Sequence, residues 1–426
     1  MSRENEFKKL QELDKQSIWH PYTQIDDEIL IPIKKTKDSY LIDYNDKKYI
    51  DAVSSWWVNI LGHTNKRLAK IIYKQASKTD QIIFSNFTHK PAIQLADKLL
   101  KILPFPFSKI FYSDNGSTSV EVAIKIALQF WGEKKTKRKK IVAFQNSYHG
   151  DTFGAMSVSN RSLFTKEFEN YLFEVEFIPT PTEKEVPKVD WENVLAFIYE
   201  PLVQGAGGML MYPRQGMNQL LKNAEEHNVL LIADEVMTGF GRTGALFASE
   251  HLKIPPDLIC LSKGITAGYL PLGVTVINEK IANDFLKNKK AFYHGHSYTA
   301  NPLSCEVANA TLLILNEDKI YYHEKWQEIN KLHSQFIEKL KKIKCVHNTR
   351  VLGTLLAFDI QNSEKKGYEN SIGKEIKMYC LKNGVLIRPL GNTVYIMPPY
   401  CISKKELKTV YSVLIDFLEK YEKAKP

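Results

Sequence analysis

Cysteine is scarce and scattered: the chain of 426 residues holds five, Cys260, Cys305, Cys345, Cys380 and Cys401, and no Cys-x-x-Cys pair. An odd number at wide spacing excludes a disulfide-stapled scaffold and the usual zinc spacings, and predicts reduced, mostly buried thiols. Apolar residues never run on for the roughly 18 positions that a membrane helix needs. The first residues, Met-Ser-Arg-Glu-Asn-Glu-Phe-Lys-Lys, mix both charge signs and lack the apolar centre of a signal peptide, so the cytoplasm is the expected compartment. Glycine and proline are also sparse, 21 and 18, beside 44% hydrophobic and 25% charged residues, which excludes fibrous and disordered chains. There is no internal repeat and no low-complexity segment.

What is present is length and a modest positive balance. At ~150 residues per domain the chain can bury a large core and hold a second, smaller lobe. The formal charge of +10 is spread along the sequence. Its one basic run, Lys134 to Lys140, has no interleaved aromatics and sits between a helical pattern and a strand pattern. That reads as a solvated connection, so neither nucleic acid nor a membrane is expected as partner.

Short β-branched and apolar runs, at Ile110 to Tyr112, Ile141 to Phe144, Leu195 to Tyr199, Val229 to Ala233 and Leu258 to Leu261, alternate with longer amphipathic segments. Such runs predict an α/β fold with a buried, mainly parallel sheet flanked by helices. A helix is expected from Asn115-Gly116-Ser117 to Gly132, because Val120, Ile124, Ala127 and Trp131 fall at helical spacing. Past about residue 315 the texture becomes that of a small α+β lobe. It has strand-like pieces at Leu355 to Ile360, Val385 to Arg388 and Val394 to Met397, then a last helix capped by Ser403 and Glu406 with Leu407, Val410, Leu414 and Leu418 on one face. Strand-like pieces at Ser39 to Asp43 and Lys48 to Ile50 are expected to pack with that lobe. The expected organisation is therefore residues 1–58 as the N-terminal part of a small domain, 59–315 as a large domain, and 316–426 as the C-terminal part of the small one.

Two strand ends carry candidate chemistry. The apolar run from Val229 ends in Asp234 and Glu235, and the run from Leu258 ends in Lys263 and Gly264. Open α/β sheets bind ligands at that edge. Alone, an acid there caps a turn and a lysine there is solvated. Together they are what pyridoxal phosphate needs: an amine to condense with the aldehyde, and a carboxylate to keep the pyridine nitrogen protonated. Gly116 and Ser117 at the start of the expected helix offer free amides to a phosphate, and Tyr148, just past another strand, offers a ring to stack on the pyridine. Each of these also has an ordinary reading, as an N-cap and as a turn tyrosine.

The motifs reach a family resemblance along nearly the whole chain. Asp234-Glu235-Val236-Met237-Thr238-Gly239-Phe240-Gly241-Arg242-Thr243-Gly244 followed by Lys263-Gly264, together with Glu200-Pro201-Leu202-Val203-Gln204-Gly205-Ala206-Gly207-Gly208, resembles the class III, fold-type I pyridoxal-phosphate aminotransferases. The resemblance implies the coenzyme pyridoxal 5′-phosphate. Lys263 would be its covalent partner and proton carrier, Asp234 would sit on the pyridine nitrogen, Gly116 and Ser117 on the phosphate, and Tyr148 over the ring. It also implies a homodimer in which Gly295, His296 and Ser297 reach the neighbouring subunit's coenzyme and substrate. His296 stands where the family often has proline, so only its backbone contribution carries over. His294 and His296 lack a third ligand at motif spacing, and no metal is expected.

Within the class, Trp19-His20-Pro21-Tyr22-Thr23, Ser54-Ser55-Trp56-Trp57, Tyr148-His149-Gly150-Asp151-Thr152-Phe153-Gly154, Arg388-Pro389 and Tyr395-Ile396-Met397-Pro398-Pro399-Tyr400 resemble the biotin-pathway branch. That branch converts 8-amino-7-oxononanoate to 7,8-diaminononanoate in two half-reactions at one site, with S-adenosylmethionine as amino donor. The resemblance makes Arg388 the anchor of the acceptor's carboxylate through a bidentate fork. Tyr22, Trp56 and Trp57 would line the apolar path from it, and Asp151 would read the donor's charge or orient Tyr22. Lysine as donor, another ω-aminotransferase acting on ornithine, 4-aminobutyrate or a diamine, and an isomerase of the same fold remain alternatives. A catalytically silent or nucleic-acid-associated protein is the rival from a different class, and it would take up no coenzyme.

Overall fold

The computed structural model describes residues 3–23, 30–132, 134, 136–362 and 370–424. Its centre is a seven-stranded sheet in the order Lys109–Ser113, Gly273–Ile277, Leu258–Leu261, Leu230–Asp234, Val194–Tyr199, Lys140–Phe144, Glu176–Ile178. Every pairing from Leu258–Leu261 to Glu176–Ile178 is parallel, whereas Gly273–Ile277 runs against both of its neighbours. The mainly parallel sheet follows the sequence pattern; the one reversed strand does not appear in it.

Side chains alternate between two apolar layers because successive residues of a strand point to opposite faces. Ile141, Ala143, Ala196, Ile198, Leu230 and Ile232 pack beneath Val120, Ala123, Ile124 and Ala127 of the helix Gly116–Gly132. Val142, Phe144, Phe197, Tyr199, Leu231 and Ala233 face the other way, in one cluster with Met217, Leu220, Leu221 and Ala224 of the helix Arg214–Glu226. Burial on both faces is why these strands read as unbroken apolar runs. Truncating the fully buried Phe197 to alanine costs about 3–5 kcal/mol.

The two chain ends meet in a second sheet. Ile33–Lys37, Tyr40–Asp43 and Lys48–Asp51 form an antiparallel meander, and Val385–Leu386 adds to it in parallel through Ile50↔Val385 and Asp51↔Leu386. A three-stranded antiparallel sheet of Val346–Leu352, Leu355–Ile360 and Thr393–Ile396 packs against the helix Lys319–Leu340, which in turn packs on the helix Lys404–Ala424. Ser403 and Glu406 cap the last helix reciprocally, at 2.7 and 3.2 Å. Arg388 falls beyond its expected strand, which closes at Leu386. The position expected to separate the lobes, 315–316, lies in the last turn of the helix Pro302–Glu317.

None of the five cysteines forms a disulfide; four are buried and Cys401 is partly so. The basic run is more than a solvated connection. Lys140 pairs with Glu176 at 2.7 Å, Lys134 with Asp284 at 3.3 Å, and Arg138 donates to the carbonyls of Val194 and His227 and lies over Trp131. Lys135 of that run lies outside the described residues.

Candidate active site

Five strands of the central sheet end on one edge, and the residues just beyond them build the site. Ser113 leads into Asp114, Asn115, Gly116 and Ser117; Phe144 leads to Tyr148, His149 and Gly150; Tyr199 leads to Glu200; Asp234 ends its strand; and Leu261 leads through Ser262 to Lys263. All but Phe144, Tyr199, Ser113 and Leu261 themselves line one cavity of about 490 Å³, which Trp57, Thr266 and Leu272 help to close. Asp234 and Lys263, placed by the sequence at neighbouring strand ends, thus share a cavity at the carboxyl edge of the sheet, where such folds bind ligands.

Each functional group is held by its surroundings. The Asp234 carboxylate accepts from His149 Nδ1 at 2.7 Å and, through its other oxygen, from the Val236 amide at 3.0 Å. Glu200 is wholly enclosed and accepts from the amides of Tyr148 at 3.1 Å and Gly205 at 2.8 Å. Burial raises its carboxyl to about 7, with Asp234 pushing the same way and His149 opposing. Burial lowers the Lys263 amine to about 8; Asp234 and Glu200 pull it back up and Arg242 adds to the depression. Lys263 has a backbone φ of +45° and its ammonium lies 4.5 Å from the centre of the Trp57 ring. A lysine in the left-handed region is strained, and such strain concentrates at functional positions.

The helix starting at Gly116 is tied down by Asn115 and Asp114, which take the Thr118 amide at 3.0 Å and its hydroxyl at 2.8 Å. Glycine is required twice around this end. A Cβ on Gly116 would stand 2.7 Å from Val236 Cγ1, and one on Gly150, whose φ is +136°, would stand 2.2 Å from Ser117 Oγ. The result is a bare helix N-terminus opening on the cavity, suited to a phosphate dianion.

At the mouth, Tyr148 donates to Asp151 at 2.9 Å and Tyr22 donates to the same carboxylate oxygen, the two phenols being 3.2 Å apart. Burial and Asp151 raise Tyr22 to about 12, and burial raises Tyr148 too, so both remain protonated donors. Tyr22 meets the Trp56 ring edge-on at 5.7 Å, and the Arg388 guanidinium lies 3.6 Å from the centre of that indole. Arg388, Trp56, Tyr22, Tyr148 and Asp151 therefore form a continuous wall running to the cavity that holds Lys263.

The turn carrying the two tryptophans is itself strained. Ser54, Ser55, Trp56 and Trp57 have φ of 51, 53, 95 and 72°, and the Val58 amide bonds the Ser54 carbonyl at 3.0 Å, closing one left-handed turn without a glycine. Each such residue costs about 1–2 kcal/mol, which surrounding contacts must offset.

Gly295, His296 and Ser297 are absent from the cavity lining of their own chain. They belong to a partly exposed segment in which the Ser297 carbonyl accepts from Gln81 at 2.6 Å and His296 Nε2 stands 4.0 Å from Asp114. Three site residues had no assigned role in the sequence: His149, Glu200 and the fully buried Arg242, which donates to the carbonyls of Pro398 at 2.9 Å and Trp57 at 3.2 Å. All three lie within the motifs named above; what hid their roles is that their partners are distant in sequence.

The residues fit pyridoxal 5′-phosphate by the chemistry of the set. There is a buried amine of lowered pKa, a carboxylate fixed by a histidine whose Nε2 has no partner in the described structure, and a phosphate cradle that two Cβ atoms would fill.

Comparison with known proteins agrees. Residues 22–418 match the family described as Aminotransferase class-III. Adenosylmethionine-8-amino-7-oxononanoate aminotransferase of Synechococcus elongatus is 44% identical over 94% of this chain and 98% of its own length. The protein of the same description from Helicobacter pylori is 37% identical over 96% and 98%. The crystal structure of that enzyme from Methanocaldococcus jannaschii superposes with a TM-score of 0.89 at 35% identity, covering 96% of this chain and 99% of that one.

Proposed function

The chain belongs to the class-III aminotransferases, and from that membership we propose that it aminates 8-amino-7-oxononanoate to 7,8-diaminononanoate in biotin biosynthesis, with S-adenosylmethionine as amino donor. The observation that carries the reading beyond the family is the wall of Arg388, Trp56, Tyr22, Tyr148 and Asp151 running to the Lys263 cavity. An elongated path with a guanidinium at its far end suits a long apolar acid, and hydrophobic walls with few fixed polar anchors suit two unlike substrates in turn.

Pyridoxal phosphate, the coenzyme of this family, supplies an electron-withdrawing ring and a carbon that carries the amino group between the half-reactions. The protein's part is binding, orientation and proton movement. Gly116 and Ser117 hold the phosphate at the helix N-terminus. Asp234, oriented by His149 and the Val236 amide, keeps a proton on the ring nitrogen. Lys263, with a lowered pKa, is neutral often enough near pH 8 to take the α proton from the donor and return one to the acceptor. Tyr148 covers the ring. Arg388 grips the acceptor's carboxylate with two parallel hydrogen bonds, while Trp56 and Tyr22 exclude water along its chain. Asp151, which accepts a hydrogen bond from each phenol, orients Tyr22 and Tyr148 and is the carboxylate available to a cationic donor.

The functional unit we propose is a homodimer in which Gly295, the His296 backbone and Ser297 complete the neighbouring site. Exposed apolar residues support it, Tyr293 at 84% just before that segment and Ile83 and Phe87, each at 66%, just after Gln81, which bonds the Ser297 carbonyl. The absence of a disulfide among the five cysteines supports a reducing compartment, the cytoplasm. The decisive experiment incubates the purified, coenzyme-loaded protein with 8-amino-7-oxononanoate and each of S-adenosylmethionine, lysine, ornithine and 4-aminobutyrate, and detects 7,8-diaminononanoate by mass. Product with S-adenosylmethionine supports the reading. Product with lysine alone overturns the donor, and no diamine with any donor overturns the function.

A further inference from the structure

Beyond the groups that face substrate, a buried polar cluster lies behind the left-handed turn. Asp51, at the end of the strand Lys48–Asp51, is fully buried. One of its oxygens accepts from the Val53 amide at 3.1 Å; the other accepts from Ser55 Oγ at 3.1 Å and from His63 Nε2 at 2.9 Å. Ser55 Oγ also lies 3.4 Å from His63 Nε2. His63 is fixed in turn by a two-way main-chain pairing with Asp38, at 2.7 and 3.0 Å. A single carboxylate thus ties together the residue before the turn, a residue within it and a histidine eight positions on. The far side of the turn is pinned by Ser54 Oγ to the Met397 carbonyl at 2.8 Å and by Trp57 Nε1 to Tyr395 at 2.9 Å.

The two indoles this turn presents have different neighbours. Trp56 lies under Arg388 and Trp57 lies beside Lys263, at 3.6 and 4.5 Å from ring centre to cation. The turn therefore spans the gap between the carboxylate anchor and the reacting amine. Four left-handed residues without glycine persist only where surrounding groups over-determine them, and the Asp51 cluster grips Ser55, the residue immediately before Trp56.

We propose that Asp51, acting through Ser55 and His63, is a positioning residue for acceptor recognition: it holds the turn so that the distance from Arg388 to Lys263 fits one length of oxo-acid. None of the three touches substrate. The proposal deepens the function given above and rests on Arg388 as the carboxylate anchor.

The test compares Asp51→Asn, Ser55→Ala and His63→Gln with Arg388→Ala in the coenzyme-loaded enzyme. The acceptors are 8-amino-7-oxononanoate and its homologues one methylene shorter and longer. In Asp51→Asn the acceptor KM should rise at least tenfold, and the preference in kcat/KM for the nine-carbon acid over its homologues should fall at least fivefold. Ser55→Ala and His63→Gln should shift the preference in the same direction by at least twofold. Coenzyme affinity and the coenzyme absorption band should stay within twofold of wild type and unshifted. A merely structural role lowers kcat or stability for every acceptor and leaves the preference untouched, and that outcome overturns the proposal. If Asp51→Asn does not fold, the Ser55 and His63 variants decide by the same criterion. If Arg388→Ala leaves the acceptor KM unchanged, the anchor itself is wrong and the proposal falls with it. If Arg388→Ala raises that KM while the cluster variants keep wild-type preference, only the positioning role is overturned.

Discussion

His149 Nδ1 donates to the Asp234 carboxylate at 2.7 Å across 85 residues of sequence, inside a site where the histidine is almost wholly buried. The carboxylate fixes the proton on Nδ1, and the histidine in turn fixes the rotamer of the group that pairs with the coenzyme ring. A hydrogen bond to a charged group contributes about 1.5–3 kcal/mol. His149→Ala is therefore expected to lower kcat about 10- to 100-fold and to shift the absorption band of the bound coenzyme, while Asp234→Asn should do both more severely. Wild-type turnover with an unshifted band in either variant would contradict the assignment of Asp234 to the ring nitrogen.

Burial sets the Lys263 amine at about 8, so its reactive neutral form grows with pH through the neutral range. The rate at which the apoprotein captures pyridoxal phosphate, followed by absorbance, is expected to rise about tenfold per pH unit below 8 and to level off above it. Lys263→Ala should still bind the coenzyme without covalent capture and should not transaminate. A capture rate flat from pH 6 to 9 argues against a buried, depressed amine at this position.

How far the sequence announced this arrangement depended on how local each cause is. The strand Val194–Tyr199 is buried at every position, so its composition alone betrays it. The reversed strand Gly273–Ile277 is as long as its parallel neighbours, but it follows a segment broken by Gly268 and Pro271, and an apolar run carries no mark of its direction. Asp234, Lys263 and Gly116 could be found because strand ends and helix starts leave marks in the chain. The left-handed turn at Ser54 to Trp57 could not, since Ser-Ser-Trp-Trp contains no glycine and its φ angles are imposed by Asp51, Met397 and Tyr395. For the same reason His149 and Arg242 showed no role until their distant partners were in place.

The carbon of the Arg388 guanidinium lies 3.6 Å from the centre of the Trp56 ring. A planar fork can stack there and still present two parallel N–H groups, whereas an ammonium offers a single point charge. Arg388→Lys is expected to raise the KM for 8-amino-7-oxononanoate about tenfold or more, with a smaller change for S-adenosylmethionine, in steady-state kinetics with both substrates varied. Equal effects on donor and acceptor would remove the carboxylate role.

His333 makes an acid-labile joint in the C-terminal lobe. Its Nε2 donates to the Thr354 carbonyl at 3.1 Å and its Nδ1 accepts from Tyr411 at 2.7 Å, and the Thr354 amide reaches on to the Arg242 carbonyl at 2.9 Å. Burial lowers this imidazole to about 4, against about 6.5 in an unfolded chain. Between those values the unfolded state binds the extra proton, so folding stability rises with pH. The contribution is complete above about 6.5 and is lost as the pH falls toward 4, to a total of about 3 kcal/mol. His333→Gln keeps one donor and one acceptor but cannot titrate. It is expected to melt lower than wild type at pH 7 and to lose less on going from pH 6.5 to 4.5, so the two melting curves converge in acid. Parallel Tm profiles over that range would show that the protein takes up its acid-destabilising protons elsewhere.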